Sequence, residues 1–308
     1  MKTVIVKIGG AAITNKQGIC QLTPDYALDA LLTQVQHAHR AHSSLGHRLV
    51  LIHGAGSFAH PQAKQYRLKD GWTPAGLSNS PSEDMEDQKA GFAHTRKCLL
   101  QLHVTLLLRL QNLGLPVLSV SPFDYVEAHD GDKSPPSCFE RMGQRVEQCL
   151  KLGFIPLLHG DTVFDRVLGC TVISGDVVMY QLTMKLPDVI RCVFVTDVDG
   201  IYDADPKVVA NAKLIDHVQV TATEEEEPIT TKRQTNSSDV ADVTGGMQGK
   251  AKWAKRIILD SNRDDLHVVI CKSGSAESVH AIALEPLFEN GSLRSHQRMT
   301  VFTSIDIK

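Results

Sequence analysis

Six short apolar runs, rich in Val and Ile, recur along the chain at Thr3–Ile8, Arg48–His53, Val117–Val120, Ile155–His159, Val189–Thr196 and His267–Cys271. They are near-continuous rather than alternating, and each leads into glycine or a small polar residue. That is the pattern of strands buried on both faces, so it predicts a parallel sheet covered by helices. Stretches with helical spacing lie between them. Pro24–Ala41 follows Thr23, which reads as an N-cap with proline at the first helical position. Ser82–Leu113 reads as one long or broken helix ending at Gly114, with Pro116 beyond it. Phe139–Leu152 and Gly249–Ser261 are further helices. Strand and helix in alternation give an α/β fold with a mainly parallel central sheet. Ligands of such sheets bind outside the carboxyl ends of the strands, so the loops after these runs are where chemistry belongs.

Five of those loops are rich in glycine. The first is Lys7-Ile8-Gly9-Gly10-Ala11-Ala12-Ile13-Thr14-Asn15-Lys16, where paired glycines let backbone amides approach an anion and two lysines flank the turn. A plain Gly-Gly turn with two solvated lysines has the same sequence, and the Walker pattern is absent. The second is His53-Gly54-Ala55-Gly56-Ser57-Phe58-Ala59-His60, whose small residues leave room for close backbone contact. His60 beyond it can donate a ring N–H to a phosphate oxygen, although most of the 14 histidines need be no more than structural. The third is His159-Gly160-Asp161, followed by Ile173-Ser174-Gly175-Asp176; its carboxylates suit orienting lysines, holding a metal, or merely a surface turn. The fourth, Thr196-Asp197-Val198-Asp199-Gly200-Ile201-Tyr202-Asp203-Ala204-Asp205-Pro206, resembles a calcium loop but lacks the downstream glutamate. The fifth, Thr244-Gly245-Gly246-Met247-Gln248-Gly249-Lys250, opens a helix, where amides and dipole favour phosphate. Taken together, the loops and three lysines point to phosphoryl transfer, which needs cationic clamps, oriented amides and a metal more than covalent help from protein.

Bulk properties narrow the partners. The 308 residues suit one large domain or two closely packed lobes, and a net charge of −3 supplies no global field toward nucleic acid. The longest apolar stretch, Leu99–Leu110, is interrupted by Gln101, His103 and Arg109, so no membrane span is expected. Met1-Lys2-Thr3 runs directly into Val4-Ile5-Val6, which reads as a core strand rather than a signal peptide. Seven cysteines without a CxxC pair fit a reduced, cytoplasmic protein and give no metal spacing. Thr221–Val243, with Glu224–Glu227, Lys232 and Arg233, reads as an exposed solvated loop with little catalytic part.

The ordered motifs resemble the amino acid kinase superfamily over essentially the whole chain: Lys7-Ile8-Gly9-Gly10, Asp176 of Ser174-Gly175-Asp176, Thr196–Tyr202, and Thr244–Met247 with Lys250. Within it, the His53–His60 loop and the Lys7–Lys16 loop are similar to those of the isopentenyl phosphate kinases. The resemblance implies a single domain over 1–308, an open three-layer α/β/α sandwich. Its N-terminal half, about 1–180, would bind the acceptor and its C-terminal half, about 181–308, would bind ATP. It implies that Lys7, Gly9, Gly10 and Lys16 surround the transferring phosphoryl group, with Lys16 stabilising the transition state. Ala55, His60 and Gly160 would hold the acceptor phosphate, Gly56 would lie near the γ-phosphate, and Asp176 would orient Lys7 and Lys250. ATP would contact Lys7, Gly9, Gly10, Ala11, Gly56, Asp197, Tyr202, Gly246 and Lys250, with Mg²⁺ accompanying it and no all-protein metal site. The implied acceptor is isopentenyl phosphate, with dimethylallyl phosphate as a second, and the implied assembly a homodimer. Phe92 and Leu99–Leu102 would wall the prenyl tail, a role that core packing explains equally well. Relatives commonly have serine at the position of Ala11 and glycine at those of Ala55 and Ala59, so position 11 offers only a backbone donor. Other kinases of the superfamily, acting on phosphonates or carboxylates, and a non-catalytic nucleotide binder are the competing readings.

Overall fold

A computed structural model of the chain describes residues 1–72, 83–204, 206, 209, 211–221, 246–289, 292–294 and 297–304. The acidic segment Glu224–Glu227 through Asp242, with Lys232, Arg233, Asp205, Thr244 and Gly245, lies outside the described residues. Strand β1 (Thr3–Ile8), fully buried, leads into the one-turn helix α1 (Gly10–Ile13), and then come α2 (Asp25–Ser44), β2 (Arg48–His53), α3 (His60–Gln65) and α4 (Glu83–Asn112). They are followed by β3 (Val117–Ser119), α5 (Glu140–Lys151), β4 (Ile155–His159), the hairpin β5 (Asp161–Asp165) and β6 (Gly169–Ile173), and α6 (Gly175–Lys185). The remainder runs through β7 (Val189–Thr196), β8 (Ile201–Tyr202), β9 (Leu214–Ile215), β10 (His217–Val220), α7 (Gly246–Ser261), β11 (His267–Lys272), α8 (Ala276–Ile282), β12 (Phe288–Glu289), β13 (Ser292–Leu293) and β14 (Met299–Ser304).

Eight strands make one sheet in the order β10-β14-β11-β7-β1-β2-β4-β3. Only the β11–β14 pairing is antiparallel, and β10 runs parallel to β14, so the predicted parallel sheet is present with two strands, β14 and β10, reversed at one end. The six apolar runs are its strands β1, β2, β3, β4, β7 and β11; the short β10 and β14 are the additions, and β14 is the longer. Its sequence, MTVFTS, mixes Thr and Ser with apolar residues and carries no continuous run. Two apolar clusters fill the two faces. One joins Ile5, Ile52, Leu158 and Phe194 to α5, α6 and α7; the other joins Val4, Val6, Leu51 and Val193 to α2, α4 and α8. Successive residues of β1 point into opposite clusters, which is why every one of them is apolar or enclosed.

The helices follow the sequence reading with local changes. Pro24, not Thr23, sits at the N-cap of α2, and no side chain caps that end, so the expected threonine cap is not formed. Of the stretch read as one long or broken helix, Glu83–Asn112 form a single helix, closed by Gly114 at φ +79°. The proposed tail wall divides: Phe92 packs with Trp72, Phe123 and Phe164, whereas Leu102 belongs to the core against α2 and the sheet. Leu99 is also buried. Helix α6 was not legible in the sequence, because nearly all its residues are enclosed and no polar stripe marks a helical period. Among the described residues, no helix is long and apolar enough to cross a membrane.

Candidate active site

Parallel pairing brings the strand ends level: Ile8 lies beside His53 and Val195, and His53 beside His159. The loops after β1, β2, β4 and β7 therefore emerge along one edge of the sheet, where an α/β sheet places its ligands. The first two touch backbone to backbone. A Cβ on Gly10 would lie 2.4 Å from the Gly56 nitrogen, and one on Gly54 would lie 2.5 Å from the Gly10 nitrogen, so only glycine allows that approach. Thr14 bridges them, its hydroxyl donating to the Gly10 carbonyl at 2.8 Å and accepting from the Ser57 amide at 3.1 Å.

Several loop amides are already used. Gly9 donates to the Val195 carbonyl at 2.8 Å, Gly54 to Ile8 at 2.8 Å, and Gly160 to His53 at 3.3 Å. The amides of Ala55 and Gly56 donate to no protein group among the described residues. Gly160 thus closes the seam between loops, and of the second loop it is Ala55 and Gly56 that offer N–H groups. His60 is the first residue of α3 and is exposed.

Lys7, almost enclosed at the end of β1, meets the Asp176 carboxylate on the first turn of α6 at 2.7 Å. This is an ion pair without hydrogen-bond alignment, since Asp176 Oδ1 has no aligned donor. Ser174 caps α6 by accepting from the Val177 amide, which fixes where Asp176 leaves the helix. Lys16, beyond the first loop, reaches across to Asp197 after β7 at 2.8 Å, with both groups well exposed. Burial would raise the Asp197 carboxyl, but the Lys16 hydrogen bond and charge, with Lys250 adding to them, hold it below its usual range. Lys250 on α7 therefore shares the electrostatic field of Asp197, and Gly246 opens that helix. Tyr202 donates to Asp199 at 2.9 Å, and Arg298 clasps the same carboxylate at 2.7 and 3.0 Å. The structure thus brings Lys7 with Asp176, Lys16 with Asp197, and the two glycine loops with one another; Tyr202 and Arg298 pair with Asp199 instead.

Sequence reasoning missed a second tier beneath the loops. Asp161, suggested by sequence as a surface turn, a lysine partner or a metal ligand, is instead fully enclosed. It accepts two bonds from Arg96 at 2.9 and 3.0 Å, and others from the Ser121 hydroxyl and the amides of Phe123 and Thr162. Arg96 stacks over the Phe123 ring at 3.9 Å. His53, His103 and His159 form a buried group behind the same loops. Arg96 and Asp161 are 65 positions apart, and no local pattern announces such a pair.

No group of three or more His, Cys, Asp or Glu side chains among the described residues is arranged to hold a metal. A magnesium ion bound here would be carried by phosphate oxygens, as Mg²⁺ commonly is, with one or two carboxylates beside them.

Comparisons with known proteins decide the family. The model of the amino acid kinase family matches residues 2–272. An isopentenyl phosphate kinase of Methanothermobacter thermautotrophicus is 30% identical over 81% of this chain and 84% of its own length. The chain belongs to the amino acid kinase family, in its isopentenyl phosphate kinase branch. The Arabidopsis thaliana isopentenyl phosphate kinase is 29% identical to this amino acid kinase over 94% of the chain and 91% of its own. A solved isopentenyl phosphate kinase structure superposes with a TM-score of 0.69 at 25% identity, over 98% of this chain and all of that one. A Streptococcus pneumoniae glutamate 5-kinase also matches, at 27% identity over 94% of this chain but 68% of its own length. Both levels of the resemblance read from the glycine loops, family and branch, are borne out, as is the mainly parallel α/β fold of these phosphotransferases.

Proposed function

We propose that this chain transfers the γ-phosphoryl group of ATP to isopentenyl phosphate, forming isopentenyl diphosphate and ADP, and accepts dimethylallyl phosphate as well. The observation that carries this is the junction of the first two loops. The second loop, where the amides of Ala55 and Gly56 donate to no group among the described residues, and the first, where the same holds for Gly10 and Ala11, are in backbone contact, as donors to an acceptor phosphate and a γ-phosphate about to react must be. An oxygen of the acceptor phosphate attacks the γ-phosphorus in line, the bond to the bridging oxygen breaks, and its electron pair leaves on ADP. That oxygen is already anionic near neutral pH, so no strong base is needed, and the barrier is like-charge repulsion.

Ala55, His60 and Gly160 hold the acceptor phosphate in this reading: Ala55 by its amide, His60 by a ring N–H, and Gly160 by closing the loop seam. Lys7, oriented by Asp176, lies against the transferring group with the amides of Gly10 and Ala11, while Gly9 lets the chain turn and Gly56 faces the γ-phosphate. Lys16 leaves Asp197 for the developing charge on the equatorial oxygens. Asp197, Tyr202, Gly246 and Lys250 bind the nucleotide, so residues 1–180 serve the acceptor and 181–308 serve ATP. A bound Mg²⁺ would be carried by the phosphate oxygens and would neutralise their charge.

The reading extends to a cytoplasmic homodimer. All seven cysteines are free thiols, which suits a reducing compartment. Val104 and Leu108, one helical turn apart on α4, and Leu118 on the sheet-edge strand β3, which packs against α4, are exposed apolar side chains that suit a second copy. Light scattering at micromolar concentration tests it: a dimer is expected, and a monomer refutes it.

Turnover assays with isopentenyl phosphate, a phosphonate such as fosfomycin, and glutamate test the substrate. The first should be used far better than the others. Preference for glutamate, the substrate named for one matched relative, would leave His60 without a task and overturn the proposal, and ATP binding without turnover of any acceptor would make the chain a nucleotide sensor.

A further inference from the structure

The histidines beneath the acceptor loops have an order that their distances dictate. The His53 Nδ1 lies 3.0 Å from the Gly54 carbonyl oxygen, which can only accept, so Nδ1 carries the proton. A neutral ring then leaves His53 Nε2 as an acceptor, and His103 Nδ1 at 2.9 Å must donate to it. His103 Nε2 is in turn an acceptor, and the Ser119 hydroxyl donates to it at 2.7 Å. The sequence of donors therefore runs Ser119 to His103 to His53 to the Gly54 carbonyl, with no choice left at any link. His159, level with His53 in the next strand, donates from Nδ1 to the Gly160 carbonyl at 3.0 Å, and its Nε2 has no partner.

All three rings are neutral. Burial, reinforced by the neighbouring histidines, holds His53 well below the usual imidazole range and takes His103 to about 3. Burial takes His159 to about 4. The site thus has buried imidazoles whose hydrogen-bond direction is set, and phosphoryl transfer as described uses none of them.

The trans peptide plane connects this relay to the loop. In a planar trans peptide the C=O and the following N–H point in opposite directions. Drawing the Gly54 carbonyl toward His53 therefore turns the Ala55 N–H away from the histidines, and that amide has no acceptor among the described residues. We propose that His103, acting through His53, is a positioning residue for the acceptor: it fixes the Gly54–Ala55 peptide so that the Ala55 amide faces the acceptor phosphate. Helix α4 thereby sets the phosphate subsite from behind, through a chain of three hydrogen bonds and without contact with substrate. The inference rests on the phosphate-acceptor reading given above.

The test compares His103→Phe, His103→Asn and Ser119→Ala. Phe keeps a ring but donates nothing to His53; Asn restores a donor near the Nδ1 position; Ser119→Ala leaves the His103 proton free to change sides. His103→Phe should raise KM for isopentenyl phosphate about tenfold or more, the loss of one well-aligned bond to a charged group, with KM for ATP within about twofold. His103→Asn should recover most of that loss, and Ser119→Ala should fall between. A packing role alone would move both KM values together, or leave Asn no better than Phe, and either result overturns the proposal. Should His103→Phe fail to fold, the other two variants decide in the same way. Nitrogen NMR of ¹⁵N-histidine-labelled wild type reads the tautomers without any substrate: His53 and His103 should both carry Nδ1–H at neutral pH, and Nε2–H at either refutes the relay. Absence of wild-type turnover with isopentenyl phosphate, alongside those tautomers, would sink the substrate reading and leave the relay standing.

Discussion

Substituting alanine for Gly10 puts the loop junction itself to the test. The new Cβ would sit 2.4 Å from the Gly56 nitrogen and 2.6 Å from its Cα. Both are backbone atoms, so neither can rotate aside, and ordinary contact begins near 3.4 Å. The two loops must part by about 1 Å, a misplacement that costs on the order of 100-fold in rate, or ~2.7 kcal/mol, when it separates reacting groups. The same methyl costs stability about 1–3 kcal/mol as overpacking, which a domain of ordinary stability survives. Gly10→Ala should therefore remain folded by circular dichroism, melt several degrees lower, and lose about two orders of magnitude in kcat in a coupled ADP-release assay. Gly46→Ala is the control, because Gly46 has φ +67° but nothing within 4 Å of a Cβ. It should lose about 1–2 kcal/mol of stability from left-handed strain and no activity. A folded Gly10→Ala enzyme turning over within threefold of wild type would show that the contact does not set the reacting distance.

Three more outcomes are expected. His60→Ala should reduce kcat/KM for the acceptor by about 1.5–3 kcal/mol in transition-state terms while ATP binding, followed by calorimetry, stays unchanged. Lys16→Ala should lower kcat more than it weakens ATP binding, and NMR titration should find the Asp197 carboxyl moved upward once its partner is gone; a rise in KM alone would make Lys16 a ground-state contact. His159, fully enclosed and lowered from 6.5 to about 4, binds its proton more readily unfolded than folded, so its contribution to stability is complete above pH 6.5 and is lost as pH falls toward 4. At pH 5 that loss is about 2 kcal/mol, and urea unfolding of His159→Gln should show a correspondingly shallower fall between pH 7 and 5.

What the sequence made legible follows from how local each signal is. Strands β1, β2, β4 and β7 could be bounded to the residue, because a strand enclosed on both faces must be apolar throughout and stops where glycine, or in β7 an aspartate, begins. Glycine loops were legible for a related reason: close backbone approach excludes every side chain, and Gly10 against Gly56 shows it. Helix α6 and strand β14 lack a period that distinguishes inside from outside, and both were missed. The partners of the site residues are another matter. Lys16 meets Asp197 from 181 positions away and Arg96 meets Asp161 from 65, and pairing at such distance is a product of the fold that neither residue's neighbours encode. The histidine chain is the extreme case, since His53 and His159 were visible as strand ends while His103, mid-helix, looked like an interruption of an apolar run.

Strand order also has a consequence during translation. β1 leaves the ribosome before every strand it pairs with, yet it lies mid-sheet with β7 as one neighbour, so its side facing β7 stays open until residues 189–196 have been made. β14 follows both β10 and β11 in the chain, inserts between them and runs against β11. The nascent chain therefore carries unpaired, strongly apolar strand edges for most of its synthesis, the state most exposed to mispairing and proteolysis. Chaperone capture of ribosome-bound intermediates should accordingly persist until β14 has emerged and fall once it docks.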